Sequence, residues 1–95
     1  MKTFKKHLNE KLNDIKFQEM YDEEKKLLEI SLKIHDEREK HGLSQNEVAK
    51  KAHITQQQLS KIENGENCNV LTLLKVCHAL GLKLDFIKNK DHQYV

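Results

Sequence analysis

The chain has 95 residues, 37% of them hydrophobic and 34% charged, with a formal net charge of +2. That is one domain's worth of polypeptide with a thin core, and five aromatics with no tryptophan and no proline argue against an all-β sandwich. No apolar run exceeds two residues, so no segment is expected to cross a membrane. The start, Met1-Lys2-Thr3-Phe4-Lys5-Lys6, lacks the apolar stretch of a signal peptide. Two cysteines cannot build a disulfide scaffold, so a reduced, cytoplasmic protein is expected. Residues 1–42 carry 10 basic and 10 acidic side chains, and residues 43–95 carry 7 and 5. Neither half is a polybasic arm, so nucleic-acid binding would need a shaped surface.

In chain order, the first predicted helix covers residues 3–13, with Phe4, Leu8 and Leu12 on one stripe. Asn13-Asp14 is expected to break it and to cap the next helix. The second helix runs over about 15–41. Its apolar positions are Phe17, Met20/Tyr21, Leu27/Leu28, Ile30 and Ile34. Leu28 and Leu32 fall beside that stripe, and a helix with two apolar stripes usually meets two partners. Glu23-Glu24-Lys25-Lys26 reads as a solvated face.

Ser44-Gln45-Asn46-Glu47 has the form of a capping box and opens a third helix with Val48, Ala49 and Ala52 inward. Thr55-Gln56-Gln57-Gln58 repeats the device at a fourth helix, with Leu59 and Ile62 inward. Asn69 is positioned to cap a fifth, with Val70, Leu73, Val76, Cys77 and Leu80 inward. Gly42, Gly65 and Gly81 follow helical stretches as terminators. After Gly81, Leu82, Leu84 and Phe86 alternate with Lys83 and Asp85. That alternation predicts a short half-buried strand, which a second copy or another protein would have to pair. The expected architecture is all-α and five-helix. It divides into an N-terminal helical extension over 1–29, a DNA-binding domain over 30–88 and a frayed tail over 89–95, with the short C-terminal strand inside the second.

Two short capped helices joined by a tight turn form a helix-turn-helix. With Gly42-Leu43-Ser44-Gln45 before it and Ile62-Glu63-Asn64-Gly65 after it, the stretch from about Ile30 to Leu84 resembles the Xre-type, phage-repressor-like family. The family normally has glycine where this chain has His53, and histidine tolerates a positive φ less well than glycine. The resemblance implies that the second helix enters the major groove by its N-terminal end. Gln56, Gln57, Ser60 and Lys61 project there, with Thr55 at the cap, and Gln45 is placed over a backbone phosphate. Glutamine can bind adenine N6 and N7 through two hydrogen bonds, and Lys61 can reach phosphate or guanine. The resemblance also implies an architectural ion pair between Arg38 and Glu63.

Cys68, Cys77 and His78 lack metal-ligand spacing, so no metal is expected. Nothing resembles a nucleophile with its base, a phosphate loop or a carboxylate pair, so neither an enzyme nor a cofactor is expected. In the extension, Phe4, Leu8 and Leu12, then Phe17 and Tyr21, then a charged helix, are similar to HigA-like antitoxins of bacterial type II toxin–antitoxin pairs. That similarity implies a RelE/HigB-like ribonuclease toxin held by Phe4, Leu8, Leu12, Phe17, Tyr21 and Leu28. It further implies a homodimer on an inverted-repeat operator in duplex DNA, repressing its own operon at the nucleoid. The alternatives are a stand-alone Xre-type regulator and an interaction module without DNA binding. The intact Gln56-Gln57 face argues against the last.

Overall fold

A computed structural model describes residues 4–89, with side chains described from Asn13 onward. Among these residues are four α-helices: α1 (Phe4–Lys40), α2 (Gln45–Ala52), α3 (Gln56–Glu63) and α4 (Val70–Ala79). The first and second expected helices are one. Asn13 and Asp14 lie inside α1, which runs unbroken for 37 residues. Asn and Asp lower helix propensity by only a fraction of a kcal/mol each. With no proline or glycine before Gly42, nothing outweighs the gain from extending an existing helix.

The helix ends are local and strongly specified. Ser44 Oγ accepts from the Glu47 amide at 3.1 Å while the Glu47 carboxylate accepts from the Ser44 amide at 3.1 Å. Thr55 and Gln58 make the same reciprocal pair at 3.0 and 2.9 Å. Asn69 Oδ1 accepts from the Leu71 amide at 2.8 Å. Each helix closes with an amide reaching back over the last turn: Leu43 to Arg38, Ile54 to Ala49, Glu66 to Lys61 and Leu82 to Cys77. This closure needs a left-handed residue. Glycine supplies it after α1, α3 and α4, and His53 supplies it after α2 with φ 58° and ψ 43°.

The core lies between α2, α3, α4 and the C-terminal third of α1. It holds Ile34, Val48, Ala49, Ala52, Leu59, Ile62, Leu73, Val76, Cys77, Ala79 and Leu80, with Ile30, Leu43, Ile54, Cys68 and Leu82 packed at its edge. Val70, expected inward, is exposed: it opens the first turn of α4, where no other helix overlies it. From Asn13 to Lys26 every described side chain of α1 is exposed. The molecule is correspondingly long, 60 × 28 × 21 Å, with a radius of gyration of 18.3 Å. A compact chain of this length would have about 12 Å.

The expected C-terminal strand is not formed. Residues 82–89 are neither helix nor strand. Leu82 is half-buried against the core, but Leu84 and Phe86 are exposed. Alternation alone cannot make a strand: without a neighbouring chain to hydrogen-bond, the backbone gains nothing from the extended ladder.

Candidate nucleic-acid interface

α2 and α3 pack directly on each other. Ala49 is fully buried between them, and a larger side chain there would hold the helices apart. The turn is His53-Ile54-Thr55, with Ile54 turned partly inward and Thr55 beginning α3. Gln56, Gln57 and Lys61 are exposed on α3, and Ser60 is half-buried. Leu59 and Ile62 occupy the opposite, buried face. Gln58 is committed to the cap: its Oε1 accepts from the Thr55 amide. The first turn of α3 therefore presents two unengaged glutamines on a rigid support, with Lys50, Lys51 and His53 exposed at the neighbouring end of α2.

The far end of α3 is fixed by a charged network. Arg38 Nε donates to Glu63 Oε2 at 2.9 Å and Nη2 donates to Oε1 at 2.9 Å, a two-pronged pair. Its remaining arm donates from Nη1 to the Leu43 carbonyl at 2.9 Å, tying the end of α1 into the network. The two side chains are 11% and 4% exposed, so water screens this pair little. His35 Nδ1 lies 3.0 Å from Glu63 Oε1, and the Gln45 side chain hydrogen-bonds the same carboxylate. Burial pushes the Glu63 carboxyl up, but hydrogen bonds from Arg38, His35 and Gln45 prevail and hold it below its ordinary range. The hydrogen bond to Glu63 raises Arg38. Every buried side-chain polar atom among the described residues has a partner.

Gln45, expected over a phosphate, also serves the Glu63 network. It is half-buried, and its amide is shared with Glu63. A glutamine amide has two N–H donors and a carbonyl, so part of it remains open to solvent. His35 was not singled out from the sequence. Its spacing, three residues before Arg38 on a helix, places both on one face and was the available signal.

Phe17, Tyr21 and Leu28 of the expected partner-binding set are exposed on α1, and the Leu28 backbone lies beside Gly65, just past the end of α3. Phe4, Leu8 and Leu12 have helical backbone, and their side chains lie outside the described residues. Cys68 and Cys77 are free thiols, both pushed up by burial. Among the described residues no group of His, Cys, Asp and Glu is placed to hold a metal ion, and no helix is long and apolar enough to cross a membrane.

The family model described as Helix-turn-helix matches residues 34–87, from the core-facing end of α1 through the segment after α4. The chain belongs to this helix-turn-helix family of sequence-specific DNA-binding transcriptional regulators, in its Xre or phage-repressor-like form.

Proposed function

We propose that the protein is a dimeric transcriptional repressor that reads its operator with α3 and holds a partner protein with the projecting half of α1. The observation that carries the DNA reading is the pair Gln56 and Gln57, exposed in the first turn of α3. The helix is locked at one end by the Thr55–Gln58 cap and at the other by the Arg38–Glu63 pair. Glutamines held this way can present paired donors and acceptors to adenine. Lys61 supplies charge for the phosphate backbone, as do Ser60, Thr55 and the open part of Gln45 by hydrogen bonding.

The partner reading rests on α1. Phe17, Tyr21, Leu28 and Leu32 recur at i, i+4, i+11 and i+15, a helical stripe, and are 53–70% exposed. An apolar stripe left exposed along a helix suits docking by helical anchors. Together with the likeness to HigA-like leaders, it supports an antitoxin that neutralises a RelE/HigB-like ribonuclease toxin and represses its own operon.

Selection of binding sites from random duplex DNA tests the first half. It should return an inverted repeat with half-sites about one helical turn apart. Gln57→Ala should weaken that site by about 1–3 kcal/mol and leave random duplex unaffected, whereas Lys61→Ala should weaken both alike. Equal loss on both for the glutamine change would remove the base-reading role. Co-purification with a co-encoded small basic protein, abolished by Phe17→Ser with Tyr21→Ser, tests the second half. Unaltered co-purification would leave a stand-alone regulator.

A further inference from the structure

An apolar groove of about 240 Å³ lies between α1, α4 and the segment after α4, and none of its lining residues belongs to α3. Its apolar walls are Ile30, Ile34, Leu73, Cys77, Leu82 and Leu84, and the charged Lys26, Glu29, Lys33 and Lys83 also line it. Val70 and Leu74, seven and three residues before Cys77, continue the α4 wall outward and are 66% and 43% exposed. Just past the groove the chain carries Phe86 and Ile87, which are 97% and 95% exposed and do not enter the groove of their own chain. One patch thus holds both an unfilled apolar hollow and two projecting apolar side chains. The hollow is smaller than the usual range of about 300–1,000 Å³ for small-molecule sites, and its scale suits side chains.

The charges on this patch are self-complementary as well. Lys26 is paired with Glu29 at 2.8 Å, and Lys33 with Glu37 at 3.5 Å. Lys83 and Asp85 flank Leu84 and carry opposite signs, and Asp85 Oδ1 accepts from the Phe86 amide at 2.8 Å. A two-fold axis through Leu84 brings Lys83 of each copy to Asp85 of the other. An interface between identical copies must present one patch that fits itself, and this patch does so in both shape and charge.

We infer that a second copy of this chain covers the α1–α4 groove, with Phe86 and Ile87 of each copy filling the groove of the other and Lys83 meeting Asp85 twice across the axis. This inference rests on the dimeric reading above and gives that dimer its surface. The residues it uses lie outside α3 on both copies.

Sedimentation of the full chain at micromolar concentration tests it. The unaltered protein should be a dimer. Lys83→Asp and Asp85→Lys should each raise the dimer dissociation constant about tenfold or more, because each places like charges together twice. An equimolar mixture of those two variants should re-form a dimer, and the double exchange Lys83→Asp with Asp85→Lys should restore self-association. Phe86→Ser should raise the constant about 100-fold or more, as for a buried aromatic anchor counted twice. Its nearly full exposure means that the melting of the monomer should not change. A dimer indifferent to all these changes would overturn this surface and leave the dimeric reading standing. A monomer for the unaltered chain would overturn both.

Discussion

α1 is one helix with two unlike halves. From Ile30 to Arg38 it is part of the core: Ile34 and Ser31 are 2% exposed, and Arg38 is bound into the Glu63 network. From Asn13 to Lys26 every described side chain faces solvent, including Phe17, Met20 and Tyr21. Backbone geometry is the same throughout, so the difference lies in what packs against it. The inner half draws its stability from burial and from an ion pair that water screens little. The outer half has only helix propensity and near-neighbour pairs such as Lys26–Glu29 at 2.8 Å, which contribute a few tenths of a kcal/mol. A helix in that state is marginal alone and holds because the inner half nucleates it. It is a surface available to a partner, and the core does not depend on it.

The contrast can be broken most severely at Arg38. Arg38→Ala leaves Glu63 buried with only His35 and Gln45 as donors, at a cost of about 3–5 kcal/mol. The same change should flatten the acid limb of stability. The Glu63 carboxyl is held below its ordinary value in the fold, so on acidification the unfolded chain binds the proton first. Its contribution is complete above the ordinary carboxylate range and is lost as pH falls through the lowered folded value. Melting temperature followed from neutral pH downward should therefore fall steeply for the native chain and less so for the variant. Parallel curves would show that Glu63 is not the group responsible.

Smaller effects sharpen the picture within the core half. Thr55→Ala removes the cap acceptor at the start of α3 and should cost about 1 kcal/mol in chemical denaturation. DNA affinity should fall with it, because the cap sets the turn that carries Gln56 and Gln57. His53→Gly should act in the opposite direction. A left-handed non-glycine residue carries a steric penalty, partly offset by the greater freedom of glycine in the unfolded chain, so stability should rise by about 0.5–1 kcal/mol. A loss would show that the His53 side chain makes a contribution of its own. The smallest effect belongs to the outer half. Phe17→Ser with Tyr21→Ser should move the melting transition by no more than about 0.5 kcal/mol, the usual range for exposed sites.

What could be read from the sequence follows the same division between local and non-local causes. The caps at Ser44, Thr55 and Asn69 and the three glycine terminators depend on residues within one turn, and each appears where its spacing places it. The Arg38–Glu63 contact spans 25 residues, and its pairing came from the resemblance to phage-type repressors, since no local spacing implies it. Asn13-Asp14 misled because a capping residue is also an acceptable helix interior when nothing forces a stop. Leu82 to Phe86 misled because a strand is defined by its neighbour, and alternation does not supply one. Val70 has the inward period of α4 yet lies beyond the reach of the other helices, so periodicity named a face without showing what covers it.

The inner half of α1 completes the DNA-reading unit, and the outer half does not. Thermal melting of a chain lacking residues 1–25, followed by titration with the selected operator, tests it most directly. The account predicts a single cooperative transition within a few degrees of the full chain and an operator affinity within about threefold, a change of about 0.7 kcal/mol. An unfolded truncated chain, or one that melts far lower and no longer binds the operator, would show that the projecting half belongs to the core and would contradict the division of labour drawn from α1.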